Sequence, residues 1–247
     1  MPRYKLLLEY DGTALHGWQR QANGLSVQEV LEIAVERFCG QKLVVHGAGR
    51  TDAGVHALGQ TAHVDLPKEM PTDVIRNALN QHVKPHAVSI ISVEPVAANF
   101  DARRSARGRV YCYRILNRRA PAAVLRGHVW HVGVPLDVEA MQQGAALLLG
   151  KHDFTTFRDS ECQANSPVKT LDRLTVTRVG DEVQVEARAR SFLHHQVRNM
   201  VGTLKLVGAG KWRAQRVGEA LEARDRRAGG PTAPPDGLYL VEVVYPE

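Results

Sequence analysis

Apolar and polar residues alternate from the start of the chain, and Tyr4 to Tyr10 reads as a strand that runs into Asp11-Gly12 and a polar loop carrying Trp18, Gln19 and Gln21. The period then changes to that of a helix. Val27, Val30, Leu31, Ala34 and Phe38 fall on one face, Ser26 and Glu29 form a capping box at the start, and Gly40 is placed to end the element. Leu43 to Val45 reads as a short strand and His56 to Leu66 as a longer one, in which Ala62, Val64 and Leu66 alternate with polar residues. Pro71-Thr72 opens a second helix through about Asn80, and Val88 to Val93 is a further strand.

The second half repeats this order in outline. A strand from Val110 to Leu116 precedes a helix that begins at Asp137, carries Val138, Met141, Ala145, Leu148 and Leu149 on one face, and stops at Gly150. Leu171 to Val179 and Glu182 to Ala189 flank Gly180-Asp181, a pair suited to a tight hairpin. Phe192 to Val207 and Arg213 to Ala223 read as helices, and Leu238 to Val244 as the closing strand. The pattern predicts an α+β protein of two duplicated halves, 1–103 and 104–247, divided within Phe100 to Ala106.

Composition sets the class. The 247 residues are 44% hydrophobic and 23% charged, enough to bury a real core. Cys39, Cys112 and Cys162 are odd in number and widely spaced, which indicates neither a disulfide framework nor a zinc site. That cysteine pattern fits a reducing cytoplasm, and because no stretch approaches the roughly 18 apolar residues of a membrane helix, a soluble intracellular protein is expected.

Charge adds a partner. The balance is +6, and from Ala102 to Arg126 there are eight arginines, Arg103 and Arg107 among them, with no acidic residue. A charge run is more often a solvated face, yet acids normally intersperse such faces, and here Tyr111 and Tyr113 lie within the run. Arginine offers bidentate bonds to phosphate and tyrosine a face for a base, so the run favours nucleic-acid contact. At this spacing the two tyrosines share one strand face, where aromatics more often belong to the core.

The candidate chemistry centres on Gly47-Ala-Gly-Arg-Thr-Asp-Ala-Gly-Val-His-Ala-Leu-Gly-Gln60. Asp52 stands among Gly47, Gly49 and Gly54, which admit tight turns and close approach, and Arg50 precedes it by two residues. A dinucleotide loop does not fit, because Asp52 occupies the third-glycine position and a strand follows. From this window alone a catalytic carboxylate and a turn residue bonding its own backbone stand level. Arg198 sits in a largely apolar helix pattern with Phe192, Leu193, Val197, Met200 and Val201, and a buried arginine needs an anion: Asp52, or an ordinary ion-pair partner. The neighbouring His194 and His195 point in different helix directions and make a poor metal pair. Gly144 to Lys151 has the wrong spacing for a phosphate-binding loop, and Ser191 lacks a nucleophile elbow.

Three stretches together, Gly49-Arg-Thr-Asp-Ala-Gly-Val-His56, Phe100-Asp-Ala-Arg-Arg-Ser-Ala106 with Tyr111, and Phe192-Leu-His-His-Gln-Val-Arg-Asn-Met-Val-Gly202, closely resemble the TruA family of tRNA pseudouridine synthases. Tyr10-Asp11-Gly12, Gly17-Trp18-Gln19, Asp153 to Phe157 and Gly237 to Leu240 extend the likeness over nearly the whole chain. The resemblance implies two ferredoxin-like (RNP-like) halves whose antiparallel sheets join around a central basic cleft, a homodimer, no cofactor, no metal, and uridines at positions 38, 39 and 40 of the tRNA anticodon stem-loop as substrate. By the same likeness Asp52 matches the catalytic aspartate, Tyr111 the tyrosine that contacts the target base, and Arg50 and Arg198 the basic residues near it; Val110 departs from the basic residue of many relatives.

Such a reaction breaks the bond from the ribose anomeric carbon to the base nitrogen, turns the base and rejoins it through carbon 5. An ionised carboxylate attacks the anomeric carbon or removes the neighbouring ribose proton, and either route requires Asp52 to be charged beforehand in a partly dry pocket, with a cation in contact. A paired uridine must also leave the stack, at a cost of a few kcal/mol, and be held by stacking. The competing readings are a noncatalytic structured-RNA-binding protein, which leaves the glycine-framed Asp52 without a purpose, and a glycoside hydrolase, which lacks its second carboxylate.

Overall fold

Strand β1 (Arg3–Tyr10) is the spine of the first of two units, because its alternating Tyr4, Leu6, Leu8 and Tyr10 are all buried while their neighbours are not. It pairs antiparallel with β3 (His56–Asp65) on one edge and with β4 (Val88–Val96) on the other. The short β2 (His46–Gly47) lies antiparallel to β3, and β10 (Leu238–Val244) joins β3 in parallel through Tyr239 opposite His56 and Leu240 opposite Ala57. Helices α1 (Val27–Cys39) and α2 (Thr72–His82) pack on one another and supply Leu31, Ile75 and Leu79 to the core. Each such fully buried aliphatic side chain contributes roughly 1.5–3 kcal/mol.

The computed structural model describes residues 1–246. The first unit comprises Met1–Arg107 and the chain from Tyr239 onward, and the second Gly108–Leu238. The closing strand, which sequence order attaches to the second half, thus contributes most of its length to the first unit.

In the second unit β5 (Gly108–Leu116), β9 (Glu182–Ala189), β8 (Val168–Val179) and β7 (Gly150–Asp153) lie side by side, every neighbouring pair antiparallel, and β6 (Trp130–His131) runs parallel to β5. Helix α3 (Val138–Ala146) packs on β8 and on α4 (Gln196–Gly208), and α5 (Gln215–Ala223) contacts α3. The protein is therefore mixed α and β with mostly antiparallel strand pairing. Among the described residues no helix is long and apolar enough to cross a membrane, and all three cysteines are free thiols.

Local signals explain most element ends. Ser26 Oγ accepts from the Glu29 N–H at 3.2 Å, and Gly40 closes α1 in the left-handed region. Three boundaries differ from the sequence pattern. Leu43 to Val45 is not a strand, because side chains of α1 take its polar groups: Gln28 donates to the Val45 carbonyl at 3.1 Å and Glu32 accepts from the Val45 N–H at 3.3 Å. Helix α3 ends at Ala146, and Gly150 already begins β7. Helix α4 begins at Gln196, not Phe192, because His195 adopts φ 59° and the Gln196 side chain accepts the Leu193 N–H at 2.8 Å.

Candidate active site

Asp52 lies half-buried in the turn between β2 and β3, and the residues around it are held from several sides. The Trp18 N–H donates to the Thr51 carbonyl at 3.0 Å, the Gly54 N–H to the Leu15 carbonyl at 3.3 Å, and the Val55 N–H to the Asp52 carbonyl at 3.1 Å. The Thr51 side chain shares a 2.8 Å hydrogen bond with the Tyr10 hydroxyl. Gln60 Nε2 donates to the Gly49 carbonyl at 2.8 Å and reaches the Tyr10 hydroxyl at 3.4 Å. Gln60 is fully buried, and its Oε1 has no hydrogen-bond partner among the described residues, a cost of roughly 1–3 kcal/mol.

The Tyr10-Asp11-Gly12 and Gly17-Trp18-Gln19 stretches are the other half of this bracing. A Cβ on Gly12 would stand 2.1 Å from the Val55 carbonyl oxygen, and one on Gly17, at φ +76°, 2.4 Å from the Thr51 carbonyl oxygen. Gly47 makes room for the Trp18 ring, which packs at 6.4 Å from Tyr10. The Gly12 N–H donates to His56 Nδ1 at 3.1 Å, and His56 stacks on Tyr239 at 4.7 Å. Asp11 Oδ1 lies at the same 3.1 Å from that nitrogen; a ring nitrogen that accepts from Gly12 has no proton for Asp11, so the backbone bond is read as the interaction. Gly12→Ala is expected to push the Asp52 turn out of place: melting shows a loss of about 1–3 kcal/mol, and turnover falls further than stability does. A variant with normal melting and turnover would show that this close approach does not set the turn.

Of the other residues singled out in the sequence, Arg50, Arg103 and Arg107 share the first unit with Asp52, and all three are exposed. Arg103 and Arg104 leave a turn whose backbone N–H groups converge on Asp101 Oδ1 at 2.9 and 2.8 Å. Burial works to raise that carboxyl, but the N–H donors of Arg104 and Arg103 outweigh it and hold it below its ordinary value.

Tyr111 and Arg198 belong to the second unit. Tyr111 is 9% exposed and meets Phe192 edge to face at 5.3 Å. Tyr113 is fully buried, packs edge to face on Trp130, and donates its hydroxyl to the Pro234 carbonyl at 2.7 Å. Burial pushes its phenol far up, against a smaller opposing pull from the Arg198 charge. Arg198 is half-buried in the first turn of α4, and its Nε donates to the Ala233 carbonyl at 2.8 Å.

His194 and His195 precede the helix, so the expected divergence of their side chains does not arise. Their rings lie 4.0 Å apart and both face Asp159, with His195 Nδ1 at 2.7 Å from Oδ2 and His194 Nδ1 at 3.8 Å from Oδ1. Burial raises the Asp159 carboxyl, but the Glu161 N–H and His195 together hold it below its ordinary value.

The arginine run is acid-free only along the chain. Arg114 forms a two-bonded pair with Glu182, at 2.6 and 2.9 Å, and Arg118 meets Asp181 at 3.2 Å, both acids coming from the β8–β9 hairpin. Arg109 is buried and donates to the Arg190 carbonyl at 2.7 Å. Arg103, Arg104, Arg107, Arg119 and Arg126 remain exposed and suited to phosphate. Periodicity missed the Tyr10, Thr51 and Gln60 cluster; the available signal was a glutamine in the middle of the strand read from His56 to Leu66.

A braced turn presenting one half-buried carboxylate, with exposed arginines on the same unit, suits an enzyme acting on RNA. Comparison with known proteins gives the class: the tRNA pseudouridine synthase family profile matches residues 7–103 and 145–246, and the chain belongs to that family. It is 63% identical over 245 residues to tRNA pseudouridine synthase A of Paramagnetospirillum magneticum, covering 99% of this chain and 96% of the relative. The protein of the same name in Acidiphilium cryptum is 62% identical, with 99% and 97% covered, and that of Rhodospirillum centenum 61% identical, with 99% and 100% covered. Membership makes the chain a pseudouridine synthase, an isomerase of tRNA uridine, and disfavours a purely noncatalytic RNA-binding role.

Proposed function

We propose that the protein converts uridine to pseudouridine in the anticodon stem-loop of tRNA, at positions 38, 39 and 40, with Asp52 as the catalytic carboxylate. The braced turn around Asp52, in a chain more than half identical to synthases of one name along its full length, is the observation that carries this reading. Asp52 opens the reaction as an anion, either by attack on the anomeric carbon or by removing the adjacent ribose proton. Tyr111 stacks on the extruded base, and Arg50 and Arg198 supply positive charge beside it. Arg103 and Arg107 hold phosphates and set register without reading sequence. The resemblance to the family supports two ferredoxin-like halves joined around a basic cleft, a homodimer and a cytoplasmic setting.

The test is incubation with unmodified tRNA followed by mapping of pseudouridine. Product confined to positions 38, 39 and 40 is expected; product elsewhere in the tRNA would reassign the target, and none at all would overturn the reading. Replacing Arg103 and Arg107 together with Gln is expected to weaken tRNA binding and flatten its dependence on salt, by about 0.7 to 0.9 in the log–log slope for each phosphate no longer neutralised. An unchanged slope would place the RNA backbone elsewhere.

A further inference from the structure

His63 is a buried titratable group that the chemistry at Asp52 does not use, and it stands at the root of the turn that carries Arg103 and Arg104. Its Nδ1 lies 3.1 Å from the Ala102 backbone nitrogen. A backbone N–H can only donate, so that ring nitrogen is unprotonated, and flipping the ring would set a C–H against the same N–H. Ala102 is fully buried, and its carbonyl accepts the Tyr245 hydroxyl at 2.6 Å. Both polar backbone groups of this residue are thus held by side chains distant in sequence. The turn is fastened on either side as well: the Arg3 guanidinium, paired with Asp65 at 2.7 Å, donates to the Phe100 carbonyl at 2.6 Å, and the Arg107 N–H donates to the Val244 carbonyl at 2.7 Å. Arg103 and Arg104 follow Ala102 directly and are exposed. Around the His63 ring stand His46 of β2, stacked at 4.9 Å, Phe100 edge-on at 6.1 Å, Lys5 opposite it in the β1–β3 register with its partner Glu94, and the charges of Arg3, Asp65 and Asp101. Burial first, and then the charges of Arg3 and His46, lower the His63 pKa below its ordinary 6.5 against the opposing pull of Asp101 and Asp65.

We infer that His63 is a positioning residue for tRNA binding: its unprotonated Nδ1 seats Ala102, and protonation in acid releases the turn that presents Arg103 and Arg104. The inference rests on the reading of this turn's arginines as phosphate contacts. A proton added at Nδ1 sets one donor against another at Ala102 and places a second cation near Arg3 in a buried site. Because the ring's value is lowered in the fold, the contact is whole above about pH 6.5 and is lost as pH falls below it. A histidine that only fills the core would leave RNA affinity untouched by its titration.

Titrations with unmodified tRNA at fixed salt, from about pH 7.5 down to about pH 5, test it. Protonation of histidines adds positive charge, so a basic protein without such a device binds RNA more tightly as pH falls. Here the Kd is expected to weaken about threefold or more below about pH 6.5, the scale of one lost hydrogen bond. His63→Asn sets an amide oxygen that does not titrate where Nδ1 stood, and should keep most of the affinity at the upper pH while losing the fall in acid. Because that variant leaves a gap in a packed site, amide hydrogen exchange on the unaltered protein gives a second reading: protection of the Ala102 N–H should drop over the same window while the β1 amides stay protected. An affinity that holds or rises in acid overturns the inference, as does a folded His63→Asn protein that keeps the acid fall, or an Ala102 amide still fully protected at the lowest pH. Replacing Arg103 and Arg107 with Gln tests the reading beneath it. If affinity and salt slope then stay unchanged, the arginines do not hold phosphates, whereas the Ala102 exchange still reports whether His63 holds the turn.

Discussion

Asp52→Asn is expected to lower turnover by about 10⁴-fold or to below detection while leaving the fold and most of the tRNA affinity in place. Asparagine matches aspartate in shape, and several bonds that hold the turn are made by other atoms: the Thr51 carbonyl to Trp18, the Thr51 hydroxyl to Tyr10, the Gly49 carbonyl to Gln60 and the Asp52 backbone to Val55. The substitution removes the negative charge, and both chemical routes need it. Affinity should survive because the exposed Arg103 and Arg107 lie outside the turn. The checks are pseudouridine mapping after a single turnover, a melting curve and a tRNA titration on the same preparation. Near-normal product from a folded variant would sink the assignment of Asp52.

Those bracing bonds mark where sequence reasoning stops. Helix α1 was legible because its signals are local: an apolar repeat, Ser26 three residues before Glu29, and Gly40 at the end. Strand β1 was legible because one face is buried and the other is not. By contrast, the segment Leu43 to Val45 has strand-like residues, but Gln28 and Glu32 of α1 claim its backbone groups, a competition between elements that no short window contains. The arginine run carried the same difficulty. Its lack of nearby acids in sequence was real, yet Glu182 and Asp181 of the hairpin return to Arg114 and Arg118 from 68 and 63 residues further along the chain. At the site, the glycine frame and Asp52 could be read from one stretch, whereas Tyr10, Thr51 and Gln60 come from three places in the chain and meet only when β1 and β3 pair.

Tyr111 and Tyr113 are expected to separate cleanly when each is replaced. Both point to the buried side of β5, so alternation treats them alike, but their hydroxyls and surroundings differ. Tyr113 is committed to the core: its ring is fully buried against Trp130, and its hydroxyl satisfies the Pro234 carbonyl. Tyr113→Ala should therefore cost about 3–5 kcal/mol, as large aromatic truncations in cores do, and lower activity only as far as it unfolds the protein. Tyr113→Phe should cost about 1 kcal/mol, for the lost hydrogen bond alone. Tyr111 keeps 9% of its surface and leans edge-on to Phe192, so its truncation removes less packing. If Tyr111 stacks on the extruded uridine, Tyr111→Ala forfeits roughly 1–3 kcal/mol of base stacking together with any hydroxyl role, and the rate should collapse in a protein that still melts cooperatively. Tyr111→Phe then apportions the loss: recovery of most of the rate assigns it to the ring, and no recovery assigns it to the hydroxyl. Single-turnover rates beside thermal melts decide the matter. A folded, active Tyr111→Ala with a folded, inactive Tyr113→Ala would exchange the two roles.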